Sequence, residues 1–181
     1  MSLEHAAWLT LRNAGVAAVR DGSVDGSSAN RKHLGFVEFK FTRMPSFEVN
    51  ETFEIARIYS QAQTPNTYGI IRTRWRIDLD SERADPLTLL RNAQPLTPTL
   101  EIETRPFSVE RRDALRAEIG TLQIPLSLDL GYGLDGTFYE LRVGSSFTHV
   151  TVGWWEKPPK GWEKGAELFH RTCDELALDF A

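Results

Sequence analysis

The last third of the chain constrains the fold most. Trp162, Ala166, Phe169, Cys173, Leu176 and Phe180 recur at spacings of four, three, four, three and four, which draws one apolar stripe along a helix. Glu163, Lys164, Glu167, Arg171, Asp174 and Glu175 fall off that stripe. Burying large apolar side chains contributes roughly 1.5–3 kcal/mol each, so the stripe is expected to be a main anchor of the fold. Just before it, two alternating segments, Thr137 to Val143 and Phe147 to Val152, flank Gly144-Ser145-Ser146. That is a hairpin, joined to the helix by a stiff turn at Lys157-Pro158-Pro159-Lys160, with Pro159 suited to a helix start. On a strand Trp154 and Trp155 face opposite ways, so only one of them can join Trp162 in a core.

Upstream, the spacing of Leu3, Ala7, Leu11, Ala14 and Ala18 predicts a helix over 2–20, with Ser2 as N-cap and Glu4 in the first turn. A stretch near 21–31, rich in Asp, Gly and Ser, reads as a mobile loop. Gly35 to Phe41 alternates as a strand, with Val37, Phe39 and Phe41 on one side and Glu38 and Lys40 on the other. Phe53 to Ser60 is read as a strand. Tyr68 to Leu79 is a cleaner one, placing Ile71, Thr73, Trp75, Ile77 and Leu79 opposite Arg72, Arg74, Arg76 and Asp78. Asp85-Pro86 opens a short helix to Arg91. Leu100 to Arg105 alternates again, Ser108 caps a helix to about Gly120 with Leu115 and Ile119 on its buried side, and Leu126, Leu128 and Leu130 suggest one more strand.

Strands and helices mix without a regular βαβ alternation, and neither a repeat nor a linker divides the chain. The expectation is a single α+β domain over residues 1–181, with a mainly antiparallel sheet and helices packed on one face, the C-terminal helix among them. A length of 181 residues suffices for a real core, and 41% hydrophobic with 25% charged residues is ordinary for a globular protein. Net charge of −4 argues against a nucleic-acid partner and favours a basic one. Arg12, Asn13 and Arg20 interrupt the apolar residues between Trp8 and Val19, so neither a signal peptide nor a membrane span is expected, and cytoplasmic residence is the default. One cysteine excludes an intrachain disulfide and a multi-thiolate zinc site.

Local catalytic signatures are weak. Cys173 and His170 invite a nucleophile–base reading, but the stripe puts the thiol in the core, where it acts as a small hydrophobe. Asp78, Asp80 and Glu82 lack the glycine and terminal glutamate of a calcium loop, and a strand end explains them better. Gly131, Gly133 and Gly136 lack the lysine and hydroxyl of a phosphate loop. The four histidines are scattered, so no metal ligands and no cofactor are assigned. An enzyme would need a pocket with convergent polar groups, for which His149, Glu140 or Arg74 are the places to look.

The candidate partner-binding residues are Arg72, Arg74, Arg76, Glu101, Glu103 and Trp155. The charged ones, joined by Glu38, Lys40, Glu140 and Arg142, would stand on one sheet face. That face is either a solvated surface with cross-strand ion pairs or a recognition surface where guanidinium groups grip carboxylates or phosphates. Trp155 is the large aromatic suited to a binding hot spot.

Gly133 to Leu141, then Gly153-Trp154-Trp155, then Pro159 and Trp162 opening the terminal helix, resemble the ending of a group of small uncharacterised bacterial proteins. Some of these resemble immunity proteins that accompany secreted polymorphic toxins. The likeness covers about the last quarter of the chain and transfers no catalytic residue. It implies a non-enzymatic binding module that occludes a cognate toxin. A small hydrolase or transferase, or an assembly protein, is the alternative.

Overall fold

The computed structural model describes residues 3–21, 34–46, 48–58, 67–83, 97–125, 136–144 and 148–181. The expected loop near 21–31, the short helix at 85–91 and the strand at 126–130 fall on residues outside these ranges, apart from Asp21. In chain order the elements are α1 (Leu3–Asp21), β1 (Leu34–Pro45), β2 (Asn50–Ile58), β3 (Thr67–Trp75), α2 (Ile77–Arg83), β4 (Leu100–Phe107), α3 (Val109–Gly120), β5 (Thr137–Gly144), β6 (His149–Trp155) and α4 (Glu163–Leu178).

The strands form one six-stranded sheet in the order β4-β3-β2-β1-β5-β6, and every pairing is antiparallel. β1 to β4 make a meander. The connection that carries α3 then crosses β3, β2 and β1 so that β5 can pair with the other side of β1. This is the α+β domain the sequence predicts.

Because side chains alternate, the register sorts the sheet into two faces. Phe39, Phe41, Phe53, Ile55, Ile70 and Leu141 point to the face covered by α3 and α4. There they meet Leu115, Trp162, Ala166, Phe169, Cys173, Leu176 and Phe180, so every residue of the predicted stripe is buried. Phe169 sits at the centre, with Phe41 at 5.7 Å, Tyr139 at 5.6 Å and Trp154 at 5.2 Å between ring centroids. Trp154 is buried here while Trp155 points to the other face, half-buried, as alternation requires. Gly161, at φ +89°, turns the chain from the prolines into α4, a conformation that side chains rarely adopt. Trp162 then donates from its indole nitrogen to the Pro125 carbonyl at 2.7 Å. Ser108 caps α3 by accepting from the Arg111 amide at 3.2 Å.

The second face carries α1, an addition to the expected helix-bearing face. Its register residues are Lys40, Thr42, Asn50, Thr52, Glu54, Thr73, Trp75 and Glu140, all buried although most are polar. The helix phase differs from the sequence reading: Leu11, Gly15, Ala18 and Val19 are buried and Ala14 is exposed. Gly15 hides the pattern. It lies so close to the Trp75 ring that an added Cβ would stand 2.4 Å from ring carbons, so the helix approaches the sheet only because no side chain is there.

Two further corrections come from register. Tyr68 to Leu79 is not one strand: β3 ends at Trp75 and the chain turns into α2 at Ile77. Asp80 drives the change, since its carboxylate, fully buried, accepts from Trp75 Nε1 at 2.7 Å, Thr99 N at 2.8 Å and Thr99 Oγ1 at 2.6 Å. In β1, register shifts around Val37 break the simple alternation. Glu38 is thereby directed to α3, where Arg112 grips both of its oxygens, at 2.7 and 2.5 Å, and the Tyr68 hydroxyl donates to it at 3.2 Å.

Candidate binding site

The charged residues expected on one face lie on two. Arg72, Arg74, Glu101 and Glu103 occupy the α4 face at the β3–β4 edge, whereas Lys40, Glu140 and Arg142 occupy the α1 face. At the β3–β4 edge the groups are paired with one another. Arg72 binds Glu103, Arg74 lies 3.5 Å from Glu101, and Arg76 bridges Glu101 and Asp78 at 2.5 and 2.6 Å. Arg72 also lies over the Phe180 ring, 4.6 Å from its centroid. The hydrogen bond from Arg76 holds the Asp78 carboxyl down at about 2. The pairs of Arg72 with Glu103 and of Arg74 with Glu101 run across strands at a partly solvated edge, each contributing about 0.2–1 kcal/mol, whereas the Arg76–Asp78 pair is local and exposed. Trp155 lies at the opposite edge of the sheet, on β6, so the six candidates do not form one site.

On the α1 face Lys40, Glu54 and Glu140 are buried, while Arg142 is exposed. Lys40 lies 3.3 Å from Glu54, and each side chain is 5% exposed. The Lys40 ammonium also donates to the Arg20 carbonyl, and Thr52 donates to the Val19 carbonyl at 3.0 Å. Both carbonyls belong to the last turn of α1, where intrahelical donors run out and the helix dipole favours a cation. Arg20 completes the arrangement by donating from Nε and Nη2 to one oxygen of Glu140, at 3.2 and 2.9 Å.

Beside this layer a hollow of 1190 Å³ extends along β6 from Val150 to Trp155. Arg12, Val16, Arg20, Asn50, Phe138, Glu140, Gly153 and Trp155 line it on the α1 side. Ile119, Leu122, Ile124, Leu141, Val152, Trp154 and Trp162 line it on the other. Consecutive strand residues such as Val152, Gly153 and Trp154 point to opposite faces, so the hollow wraps around the outer side of β6. No described strand pairs with that side.

The two halves differ in chemistry. The α3/α4 half is apolar, apart from the Trp154 indole N–H, which is buried without an acceptor among the described residues. The α1 half is polar. Arg20 and Glu140 neutralise each other there, while Arg12, half-buried, has no hydrogen bond or ion pair among the described residues. The signal for this half was present in the sequence as Arg12, Val16 and Arg20, four apart on one line of a helix.

Of the three places named for a catalytic pocket, only Glu140 lines the hollow; His149 and Arg74 do not. Cys173 is sealed in the core, and burial pushes its thiol far up. His170 keeps one edge in solvent, yet its ring stands 4.7 Å from that of Tyr139, and desolvation pulls its pKa below 6.5. Among the described residues no three His, Cys, Asp or Glu groups converge for a metal. No described helix is long and apolar enough to cross a membrane. The sequence matches no protein-family model, no curated protein and no solved structure.

Proposed function

We propose that the chain is a protein-binding module that acts by occluding a partner, in the manner of an immunity protein bound to its cognate toxin. One observation supports this above others: the hollow follows the length of an edge strand and opens on both faces of the sheet. That shape suits a polypeptide element of a partner better than a compact metabolite, for which enclosed pockets of about 300–1,000 Å³ are usual. Glu140, the single carboxylate among the described lining residues, is clamped by Arg20 instead of standing beside a second acid or base. The β3–β4 edge, at the far side of the molecule, would serve at most as a secondary contact, because its arginines are already engaged.

The test is co-expression with the product of the neighbouring gene. A one-to-one complex that suppresses the partner's activity, with no turnover of substrate by this chain, is the expected result. Absence of binding at about micromolar concentration, corresponding to roughly −8 kcal/mol, rejects the reading.

A further inference from the structure

We infer that α1 is a detachable wall of the hollow, leaving the sheet as one unit in an opening that keeps the rest of the molecule folded. This opening is a property of the chain alone, whether or not a partner binds. The two helical layers bury different things. The stripe of α4 presents Trp162, Phe169, Leu176 and Phe180 to Phe41 and Phe53, and lifting α4 would give all of these to water. The buried face of α1 is Leu11, Gly15, Ala18 and Val19, three of them no larger than valine. Its apolar share is centred on Trp75, which meets Gly15 and stacks on Trp8 with ring centroids 6.4 Å apart. Otherwise the floor beneath α1 is largely polar, with Lys40, Thr52, Glu54 and Glu140.

A charged group loses its water when α1 docks and regains it when α1 leaves. Uncovering this floor therefore returns the desolvation cost that a buried pair such as Lys40–Glu54 carries. Nor does the rest of the fold lean on the helix: among the described residues, the core between the sheet and α3/α4 includes nothing from α1. The polar ties of α1 to the sheet gather at its last turn. Lys40 and Thr52 donate to the Arg20 and Val19 carbonyls, and Arg20 grips Glu140. Water can replace each of these bonds once they break together, which is the condition for a local opening. Arg12, Val16 and Arg20 then leave the hollow, Glu140 is released, and the β5–β6 side remains. Docked and open states thus offer a partner different surfaces, and a partner that touches α1 draws the chain to the docked one.

The chain carries its own reference for measuring this opening. Cys173 is sealed under α4, and Thr73, 1% exposed, lies on the α1 face beside Thr52 in the register and two residues from Trp75. Thr73→Cys therefore puts one thiol in each layer of the same molecule. With fluorescein maleimide in excess, the introduced thiol should be labelled at least about 100-fold faster than Cys173 in native buffer, the two sites being separated by peptide mass spectrometry. The rates should converge only as urea approaches the unfolding midpoint. Hydrogen exchange of the unsubstituted chain reads the same event. Amides of residues 8–19 should share one protection factor, lower by about 100-fold or more than that of amides 166–176 on α4. Gly15→Ala, whose methyl would stand 2.4 Å from Trp75 ring carbons, should stay folded, with α4 amides protected and amides 8–19 exchanging as in a free helix.

Equal labelling of the two thiols, or α1 amides as slow as those of α4, would overturn the inference. So would a gradient of protection along α1, which marks fraying from an end, or a Gly15→Ala chain unfolded throughout. Failure of the neighbouring gene product to bind leaves these rates as they are and strikes the binding-module reading alone.

Discussion

The two faces of this sheet are held by different physics. On the α4 face, aromatic rings fill space around Phe169. Such packing is strong but nearly non-directional, and the helix could rotate slightly with little change in buried area. On the α1 face, Lys40, Thr42, Thr52 and Glu54 form a buried polar layer, and Lys40 and Thr52 donate to the last carbonyls of α1. Hydrogen bonds have angles and lengths, so this layer fixes where α1 ends. That in turn fixes where Arg12 and Arg20 stand beside the hollow. The apolar face supplies most of the stability, and the polar face supplies position.

The contrast is sharpest where a single deletion is compared on each side. Phe169→Ala should cost about 3–5 kcal/mol, since a fully buried ring is lost and its neighbours cannot close the cavity. Urea unfolding should show the midpoint falling with little change in slope. A loss below about 1 kcal/mol would mean that the stripe is not the anchor.

Next in size is the buried ion pair. Lys40→Met should cost about 3–5 kcal/mol, at the low end of that range if water reaches the Glu54 carboxylate it leaves behind. Lys40→Met combined with Glu54→Leu should recover most of the loss, because apolar side chains of similar volume replace a desolvated pair without leaving a charge. If the double variant is as unstable as the single one, the pair stabilises the fold outright. The comparison between an apolar anchor and a positioning layer then fails.

How well each face could be read from the sequence follows from the same difference. The α4 stripe was legible because large apolar residues at helical spacing have one simple use. Ser108 and the alternation in β4, β5 and β6 were legible for similar reasons. The α1 face was not. Lys40 and Glu140 read as solvated strand residues, since nothing local says that a helix will cover them. Gly15, the residue that lets α1 approach, carries no side chain and registers only as a gap in the pattern. Strand order depends on contacts far apart in the chain, which is why Arg72 and Lys40 were placed on one face although the register separates them. Trp155 and Glu101, both candidates for partner binding, likewise stand at opposite edges of the sheet.

A smaller effect separates a satisfied polar layer from an unsatisfied one. Thr73 Oγ1 is buried on the α1 face with no hydrogen-bond partner among the described residues. Thr73→Val keeps the shape and removes an orphaned hydroxyl, so stability should rise by about 1 kcal/mol in thermal or urea unfolding. A loss of similar size would show that the hydroxyl has a partner in solution and that the layer is satisfied throughout.

The smallest effect belongs to the rim of the aromatic face. The His170 ring stands against Tyr139, Trp154 and Phe169, and this desolvation lowers its pKa from 6.5; Asp174 opposes the shift and Arg43 adds to it. The folded state therefore holds the proton less firmly than the unfolded chain does. Stability from the neutral ring is fully present above about pH 6.5, and it falls as pH drops from there towards the lowered folded value, where the unfolded chain alone gains the proton. Because one ring edge stays in solvent, the change should be small. Urea midpoints measured between about pH 7.5 and 5 should decline with a steeper slope in the wild-type chain than in His170→Gln. Equal slopes would mean that the aromatic face does not extend to this residue, and a midpoint rising on acidification would reverse the sign of its coupling to the rings.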